Sequence, residues 1–518
     1  MMLEYPILWA SILAPLAASL ASGGYTARES RVAAYLVAAL LLIPAAVAAY
    51  YAYTGYLGEG VIDPIVVDLS GVGLGSITLA IDGISAPIVV GVSIVTSLVS
   101  VYSLKYMEAR LREMMEHGEK PPSMRVYFIL YTGFAVSMLG MAYSVNFISF
   151  FIFLELSLVT SFLLILYYGY GDRRRIALLY FIWTNIGSAL ALAGALIYGI
   201  NAGTLDAAVA EAGRLVYMAD MSGLEGLLAL AAGGLLLVGL LVKMAVVGVH
   251  MWLPYAHAEA PTPVSALLSP NLVGFGAYGI ARFALPFFPG VIEDLAPLLL
   301  GLAIATILYG GMVALRQNDF KRFLAYSSVS QMGYLLLGIA TLTPFGLAGA
   351  MLFYLSHAVG KAILFMAAGV FIAELKGLRN MARMGGLAKS YPAIAAASLI
   401  GFLHLAGIPP AFGFWGELFI VIGLLDGIEA SRGLSAASLA LVAVGLIAAF
   451  TVTAAYSFVA MRRIFFGPPR IQAGEEMDEF KSTVVVLSMV GILLFILAGA
   501  LVGPLRPSVE ALMVASLG

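Results

Sequence analysis

Apolar segments long enough to cross a bilayer fill almost the whole of this chain. A crossing helix needs about 20 predominantly apolar residues, and about fourteen segments reach that length. The predicted spans are 6–22, 32–54, 85–106, 125–143, 145–169, 176–199, 225–252, 262–287, 293–315, 322–341, 345–375, 392–425, 436–461 and 482–503. Helices satisfy all their backbone polar groups within one segment, as lipid requires. The predicted fold class is therefore an all-α integral membrane protein.

Composition supports this class and excludes several others. Of the 518 residues, 62% are hydrophobic and 11% are charged, against about 25% charged residues in average soluble domains. The absence of cysteine excludes disulfides, thiolate-bound iron–sulfur clusters and cysteine-type zinc sites in this chain. The five histidines show no metal-ligand spacing, and no glycine-rich phosphate loop opens a helix after a strand. The net charge of −2, with no basic tail, argues against a nucleic-acid partner.

Basic residues are concentrated in the loops on one side of the predicted bundle. When the N-terminus is placed outside, the basic residues of the outward segments are only Arg214, Arg432 and Arg506. Cytoplasmic loops carry an excess of Lys and Arg, so we expect both termini to face outward from the cell membrane. The acidic start Met-Met-Leu-Glu-Tyr-Pro predicts that the first apolar segment is a retained helix. The outward loop 55–84 is expected to hold a short strand and turn, and no long C-terminal arm is expected after the last span.

Two oppositely charged residues lie in separate apolar segments of the first half. Lys243 and Glu155 are each flanked by apolar residues, and a charge at membrane depth costs roughly 2.5–3.5 kcal/mol on insertion scales. Pairing compensates both charges, so we predict that the two residues interact and that Lys243 binds and releases protons. Snorkelling of the lysine to the interface and a neutral, hydrogen-bonded glutamate are the alternatives.

The second half repeats the theme. His357 and Lys361 are four residues apart and so lie on one helix face, which predicts successive stations of a proton relay. Glu417 follows the segment 407–416, whose tandem prolines and glycines must interrupt the helix. Broken helices at membrane depth often mark ion sites. Gly248, Pro254, Pro261 and Pro270 similarly punctuate the first half, around His250.

Other polar residues within the spans have ordinary explanations. The segment 327–331 (Ser-Ser-Val-Ser-Gln) offers hydroxyls and an amide for a file of water molecules, or equally for a polar helix interface. Arg282, Lys321 and Arg322 are predicted to be interfacial anchors.

Five motifs closely resemble the antiporter-like subunits of respiratory complex I, a family shared with membrane-bound hydrogenases and multisubunit cation/proton antiporters. The resemblance covers roughly residues 75–465. The motifs are the stretch beginning at Lys243 (KMAVVGVHMWLPYAHAEAPTPVSALLS), FLELS at 153–157, NDFKRFLAYSSVSQMGY at 318–334, HAVGKAILF at 357–365 and GIPPAFGFWGEL at 407–418.

The resemblance implies a fold of fourteen helices with two inverted five-helix repeats, each with one broken helix. The implied division is 1–124 for the first three helices and the outward loop, 125–287 and 288–466 for the repeats, and 467–518 for a C-terminal helix. It further implies that Glu155 and Lys243 form the coupling pair of the first repeat, and that Glu417 is the terminal titratable group of the second. The residues expected to move protons are therefore Glu155, Lys243, His250, His357, Lys361 and Glu417.

Two departures from the family pattern stand out. Many relatives carry a central lysine where this chain has Gly274. Either the link between the half-channels uses water, His250, Asn271 or Lys361, or the usual pathway is altered. Ala245 and Gly248 replace prolines that are common after the first lysine. Glu417 and the missing C-terminal arm resemble the M-type subunit, whereas His357 with Lys361 resembles the L-type.

The resulting hypothesis is an M-type proton-translocating subunit of a complex I-like NADH/ferredoxin–quinone oxidoreductase. It would hold no cofactor, and iron–sulfur clusters, flavin and quinone would reside in partner subunits, including related antiporter-like subunits. Whether the chain counts as an enzyme stays open. The alternatives are a subunit of a Na⁺/H⁺ antiporter or membrane-bound hydrogenase, and a scaffold whose buried charges serve assembly only.

Overall fold

Helices make up most of the chain in the computed structural model, which describes residues 1–21, 27–430, 436–471 and 476–517. The helices of the N-terminal part are α1 (Ile7–Ala21), α2 (Ala27–Leu41), α3 (Ile43–Tyr53), α4 (Ala86–Glu116), α5 (Met124–Tyr143), α6 (Phe147–Tyr168), α7 (Arg173–Ala202), α8 (Gly226–Met244), α9 (Trp252–Glu259), α10 (Thr262–Leu267), α11 (Phe275–Gly279) and α12 (Leu285–Phe287). Those that follow are α13 (Pro289–Leu315), α14 (Phe320–Ala340), α15 (Pro344–Glu374), α16 (Leu387–Ser390), α17 (Pro392–Ala406), α18 (Gly413–Ala430), α19 (Ala436–Phe465), α20 (Glu479–Ile496) and α21 (Ala498–Leu517).

Thirteen helical stretches within the described ranges are long and apolar enough to cross a membrane. Each of the fourteen predicted spans corresponds to one or more of these helices, and the span 262–287 corresponds to three of them, which confirms the fold class. The boundaries 1–124, 125–287, 288–466 and 467–518 stay predictions. Of the basic loop residues, Arg432 and the side chain of Arg28 lie outside what the structure describes.

Two spans are broken, one in each half, where the sequence predicts interruption. Helix α8 ends at Met244, and Ala245 continues with a φ of +55° before α9 begins at Trp252. Helix α17 ends at Ala406, and Gly407 has a φ of +64° before α18 begins. A left-handed residue ends a helix because it turns the chain away from the helical axis.

The span 262–287 is continuous but irregular. Two π-helical segments, Leu268–Leu272 and Ile280–Ala284, separate α10, α11 and α12. Pro270 lies in the first of them and lacks the amide hydrogen that a regular α-helix uses there. The predicted interruption at Pro270 is therefore a local widening. π-Helical turns occur frequently at functional sites.

Two antiparallel β-hairpins join the helices. Strand β1 (Val61–Asp68) pairs with β2 (Ser76–Ile81), which confirms the strand predicted before Asp82. Strand β3 (Ala208–Glu211) pairs with β4 (Arg214–Tyr217). Since the N-terminal ammonium donates to the carbonyl of Gly60 at 2.7 Å, the start of the chain is tied to the first hairpin.

The C-terminal region 467–518, for which the resemblance implies one helix, holds two helices in its described part. Helix α20 ends at Ile496, and α21 follows almost directly. The hydroxyl of Ser508 accepts a hydrogen bond from the Gly83 amide at 3.0 Å and donates to the Gly58 carbonyl at 3.1 Å. Helix α21 therefore packs against the segment between α3 and β1 and against the segment between β2 and α4.

The interior of the bundle is formed by α15 and the irregular span 262–287, whose apolar stretches are buried throughout. Helix α14 packs against α13 and α15. Large apolar side chains on α7 and α19, among them Ile182 and Ile447, are more than half exposed. The polar residues on α14 and α15 are thus shielded by a surrounding layer of apolar helices.

Candidate functional site

Glu155 and Lys243 lie within electrostatic range of each other. The side chain of Lys243 is buried in the last turn of α8, where the helix dipole favours a cation. Glu155 is half-buried on α6; its Oε2 accepts a hydrogen bond from Nδ2 of Asn185 at 3.3 Å, and its buried Oε1 has no partner in the described chain. No ion pair between described residues includes either charge. The predicted pair is therefore near but not closed.

His250 lies in the first helix break, a short way after Lys243 in the sequence, and its side chain is buried. Both ring nitrogens of His250 lack hydrogen-bond partners within the described ranges. The ring packs edge-on against Tyr309, at 5.0 Å between ring centres, and against Tyr326 at 6.4 Å. A buried histidine without partners is a group that an internal water molecule can satisfy.

His257, which the sequence reasoning passed over, lies deeper than His250. It is fully buried, and neither ring nitrogen has a partner in the described part of the chain. The groups that act on it electrostatically are Lys321, Lys361 and His357. The sequence signal that could have identified it is its place in the same motif as Lys243.

Lys321 is not the interfacial anchor that the sequence predicts. Its side chain is fully buried and its Nζ donates to the carbonyl oxygen of Ala260, whereas the adjacent Arg322 is exposed. Only Arg322 therefore behaves as an anchor. Neighbouring residues on a helix point in different directions, so the sequence alone did not show which cation turns inward.

His357 connects α15 to the first π-helical segment. Its Nε2 lies 3.1 Å from the carbonyl oxygen of Ser269, and its Nδ1 has no partner among described residues. The hydroxyl groups of Ser269 and Ser328 are 2.6 Å apart. The serines of segment 327–331 thus form a polar interface between helices, which was one of the two predicted roles.

Asn271 and Gly274 occupy the position of the departure from the family pattern. The side-chain amide of Asn271 is fully buried with no partner for either polar atom within the described ranges. The hydroxyl of Tyr354 donates to the Asn271 carbonyl at 2.8 Å, and a Cβ added to Gly274 would lie 2.3 Å from Cε2 of Tyr354. The aromatic ring therefore fills the volume that a side chain at 274 would need.

Lys361 is a buried cation without a counter-ion in the described chain. Its Nζ donates to the carbonyl oxygen of Leu324 at 2.8 Å and to the hydroxyl of Ser327. Its side chain is fully buried, and no ion pair of the described residues includes it. Since an uncompensated charge in this position is costly, a neutral amine that takes up protons transiently fits the surroundings.

Glu417 lies just past the second helix break. Its side chain is 9% exposed, and Oε1 has no partner among described groups. A Cβ added to Gly407 would lie 2.0 Å from Oε2, so the glycine leaves the space that the carboxyl group occupies. His404 lies on the preceding helix, where its Nδ1 is 2.9 Å from the hydroxyl of Ser356.

A set of hydroxyl and amide groups surrounds Glu417 at the level of α14 and α19. Glu417 acts electrostatically on Tyr334 and Tyr456. Nε2 of Gln331 donates to the hydroxyl of Tyr456 at 2.8 Å, and Tyr334 lies 3.0 Å from Oγ1 of Thr453. These groups can donate and accept hydrogen bonds in either direction, which suits the passage of protons.

Arg282, the other predicted anchor, forms a closed ion pair. Its guanidinium donates to both carboxylate oxygens of Asp82, at 2.7 and 2.8 Å, and both side chains are almost fully buried. Burial alone would raise the pKa of Asp82, but Arg282, the Ser85 amide and the Tyr217 hydroxyl hold that pKa below its usual range. The pair joins the start of α4 to the second π-helical segment and takes no evident part in transfer.

The predicted relay residues thus fall into three groups. Glu155, Lys243 and His250 surround the first break, His357 and Lys361 lie at the centre, and Glu417 lies at the second break. The sequence reasoning missed His257 and His404 and misassigned Lys321. No cluster of potential metal ligands occurs among the described residues. Chemically, the arrangement supplies buried amines, imidazoles and a carboxyl group that can bind one proton each.

Comparisons with known proteins show the family to which the chain belongs. Residues 144–442 match the family model described as NADH:quinone oxidoreductase/Mrp antiporter, transmembrane region. The chain belongs to this family. Residues 75–113 additionally match the N-terminal region of chain 5 of NADH–ubiquinone oxidoreductase (complex I).

Relatives of this NADH:quinone oxidoreductase/Mrp antiporter family member extend over most of its length. A chain 4 of NAD(P)H-quinone oxidoreductase from Thermosynechococcus vestitus is 32% identical over 418 residues, which are 80% of this chain and 73% of the relative. Subunit M of the F(420)H(2) dehydrogenase from Methanosarcina mazei is 32% identical over 424 residues, 81% of this chain and 79% of that subunit.

Two solved structures share the fold of this family member. A chain of respiratory complex I from Thermus thermophilus superimposes with a TM-score of 0.79 at 24% identity, covering 99% of this chain and 100% of that one. A chain of the Mrp complex from Dietzia sp. gives a TM-score of 0.78 at 24% identity, with 99% of each chain covered. The expected fold, with a broken helix in each half, is confirmed.

Proposed function

We propose that this chain is the M-type proton-translocating membrane subunit of a complex I-like NADH/ferredoxin–quinone oxidoreductase. Relatives with sequence identity above 30% include a chain 4 of NAD(P)H-quinone oxidoreductase and a subunit M of F(420)H(2) dehydrogenase. Both names describe subunits of redox complexes, which favours a redox-driven pump over a free-standing transporter.

The observation that carries the proposal is the environment of Lys361. Among the described residues, the polar partners of this lysine are only the Leu324 carbonyl and the Ser327 hydroxyl, so it contributes no ion pair there. Removal of such a buried charge is often neutral or stabilising. A buried amine that costs stability is best explained by a function. The function that its chemistry allows is the binding of protons at membrane depth.

The mechanism begins at the open pair. In one state Glu155 approaches Lys243 and compensates its charge, and in the other it remains with Asn185, as here. Loss of a close partner from a buried charge costs about 3–5 kcal/mol. Moving one proton against about 150 mV requires roughly 3.5 kcal/mol. The two energies match, so this motion can drive protonation and release at Lys243, then at His357 and Lys361, and finally at Glu417.

Partner subunits complete the proposal. Glu155 is half-buried and Asn185 is exposed on the flank of the bundle, and such polar groups are unfavourable against lipid. We therefore place a neighbouring membrane subunit of related type against this flank. The chain itself holds no cofactor, and partner subunits carry the iron–sulfur clusters, flavin and quinone. It resides in the cell membrane with both termini outward.

Purification of the chain from native membranes in a gentle detergent tests this assignment. We expect iron–sulfur and quinone-site subunits to copurify, and we expect the complex in liposomes to move protons when quinone is reduced. A complex of small membrane proteins without iron, which exchanges cations for protons, would contradict the assignment.

That second outcome corresponds to the alternative function, a subunit of a multisubunit Na⁺/H⁺ antiporter. The fold match to a chain of the Dietzia Mrp complex is as complete as the match to complex I. The same relay residues would then run on an existing ion gradient. The corresponding alternative of a membrane-bound hydrogenase is distinguished by hydrogen evolution from the purified complex.

A further inference from the structure

Lys321 is a buried cation that the relay described above does not use. It lies in the first turn of α14, where the partial positive charge of the helix dipole disfavours an ammonium group. Its side chain is fully buried, and no ion pair of the described residues includes it. The nearby carboxylate of Asp319 is instead paired with Arg379, at 2.8 Å.

In the described part of the chain, the side chain of Lys321 makes one hydrogen bond, and its acceptor lies at the end of α9. Its Nζ donates to the carbonyl oxygen of Ala260, the residue between α9 and α10. Pro261 follows and has no amide hydrogen, so the break leaves backbone carbonyls without helical partners. A hydrogen-bond donor at position 321 therefore also serves the local structure, and any test must separate that role from proton transfer.

A cavity on the face that bears the basic loops comes close to Lys321 through Tyr170, although Lys321 does not line it. It has a volume of about 320 Å³ and is lined by Tyr106, Arg110, Glu113, Tyr170 and Lys376. The ring of Tyr170 lies 3.8 Å from the Arg110 guanidinium carbon and 5.8 Å from the Lys321 ammonium. One aromatic ring thus contacts the cavity and the buried lysine.

Hydroxyl groups continue inward from the cavity. The hydroxyls of Tyr170 and Tyr106 are 2.7 Å apart, and Thr262 donates to Tyr106 at 2.9 Å. On the interior side, His257 has two ring nitrogens without partners in the described chain, and Lys321 and Lys361 act on it electrostatically. Lys321 therefore lies close both to Tyr170, which lines the cavity, and to His257 on the interior side.

We propose that Lys321 takes up protons from the face that bears the basic loops, by way of the cavity beside Tyr170. It then passes these protons through His257 to Lys361. The neutral amine of Lys321 takes one proton from a hydronium ion that enters through the cavity, which leaves water, and becomes an ammonium group. It returns to the neutral amine when an unpartnered nitrogen of His257 accepts that proton, and no other bond changes. The charged groups that act on Lys321 are Arg110, Glu259, Asp319 and Arg379.

This inference rests on the proposed proton-translocating function, and the experiment separates the two. Lys321→Gln keeps a hydrogen-bond donor for the Ala260 carbonyl but binds no proton, whereas Lys321→Met loses both. Arg322→Gln is the matched control on the next, exposed residue. Lys243→Ala tests the proposed function itself. Each variant is measured in the assembled complex in liposomes, as proton uptake per quinone reduced.

We expect both Lys321 variants to slow coupled proton uptake by roughly 10²-fold, the contribution of one positioned acid–base group, while Arg322→Gln behaves as wild type. Full pumping by Lys321→Gln with loss in Lys321→Met would assign a structural donor and overturn the inference. Full pumping by both would also overturn it. Full pumping by Lys243→Ala would instead contradict the proposed function.

A second measurement decides the case in which position 321 tolerates no substitution. Reductive methylation with formaldehyde and borohydride labels neutral amines that water reaches, and peptide mass spectrometry locates the label. In the wild-type complex during turnover we expect methylation of Lys321 in addition to the cavity-lining Lys376. Labelling of Lys376 without Lys321 would show that the cavity does not feed this lysine and would overturn the inference.

Discussion

The ring of Tyr354 occupies the space beside Gly274: a Cβ added to the glycine would lie 2.3 Å from Cε2 of the ring. The two residues are therefore complementary in volume, because one can be large only while the other is small. Tyr354 is fixed in this place by its hydrogen bond to the Asn271 carbonyl. The departure from the family pattern at 274 is thus accompanied by a packing partner on α15.

Substitution of this pair tests the complementarity. Gly274→Lys should destabilise the chain by about 1–3 kcal/mol, the usual cost of overpacking a core. The double variant Gly274→Lys/Tyr354→Ala should recover most of that loss, since it provides the missing volume. Thermal unfolding of the detergent-solubilised complex measures both. Equal destabilisation by the single and double variants would show that the two positions are independent.

Lys361→Met should separate stability from activity. The carbonyl of Leu324 keeps hydrogen bonds from the hydroxyls of Ser327 and Ser328 when the lysine is removed. We therefore expect an assembled complex of unchanged or slightly higher thermal stability that no longer couples quinone reduction to proton movement. Lys120→Met, at an exposed position, is the control. Loss of assembly with retained coupling in the residual complex would favour the scaffold hypothesis.

The Asp82–Arg282 ion pair should be structural. Asp82→Asn leaves the Arg282 guanidinium uncompensated in a buried site, which costs about 3–5 kcal/mol. The double variant Asp82→Leu/Arg282→Met should be closer to wild type because no unpaired charge remains. Chemical or thermal unfolding of the two variants checks this. A single variant as stable as wild type would mean that the pair adds nothing to the fold.

The same pair predicts a pH dependence. The pKa of the Asp82 carboxyl is held below its unfolded value of about 3.9. A carboxyl pKa that is lower in the folded state stabilises the fold at any pH above the pKa of the unfolded state. That stability is lost as the pH falls through the pKa of the folded state. Unfolding curves should thus show a constant contribution from Asp82 above about pH 4 and a decline only below it. A decline already near pH 6, absent from the double variant, would contradict this.

Gly407→Ala should disturb Glu417. Gly407 has a left-handed φ, in which alanine costs roughly 1–2 kcal/mol, and the new methyl group would displace the Glu417 carboxyl group. Gly203→Ala is a matched control, because Gly203 also ends a helix at positive φ but faces open space. We expect similar losses of stability but impaired proton pumping only for Gly407→Ala. Equal pumping by both variants would separate Gly407 from the function of Glu417.

The spans and both helix breaks could be predicted from the sequence because they depend on local properties. Runs of apolar residues set the helices, and the glycines and prolines around Gly248 and Pro409 mark the breaks. The separate motifs that contain Lys243, His357 with Lys361, and Glu417 supplied candidate relay residues, whose role stays a prediction. Each of these signals is contained in a few neighbouring residues of the sequence.

The remaining features depend on contacts between distant segments. Lys321 and Arg322 are adjacent cations, and only the position of Ala260 across the break shows that one turns inward. Arg282 is an ion-pair partner because Asp82, two hundred residues earlier, meets it. Helix α21 contains Pro504 and Pro507 and follows its neighbour almost without a loop, so its sequence does not resemble a separate helix.

The most direct test of the central claim is the number of protons moved per quinone reduced by the assembled complex with Glu417→Gln. The substitution preserves the shape of the side chain but removes its ability to bind a proton, and Glu510→Gln on the exposed face of α21 is the control. The account predicts that Glu417→Gln assembles normally and loses coupled pumping while Glu510→Gln retains it. Full coupled pumping by Glu417→Gln would contradict the account.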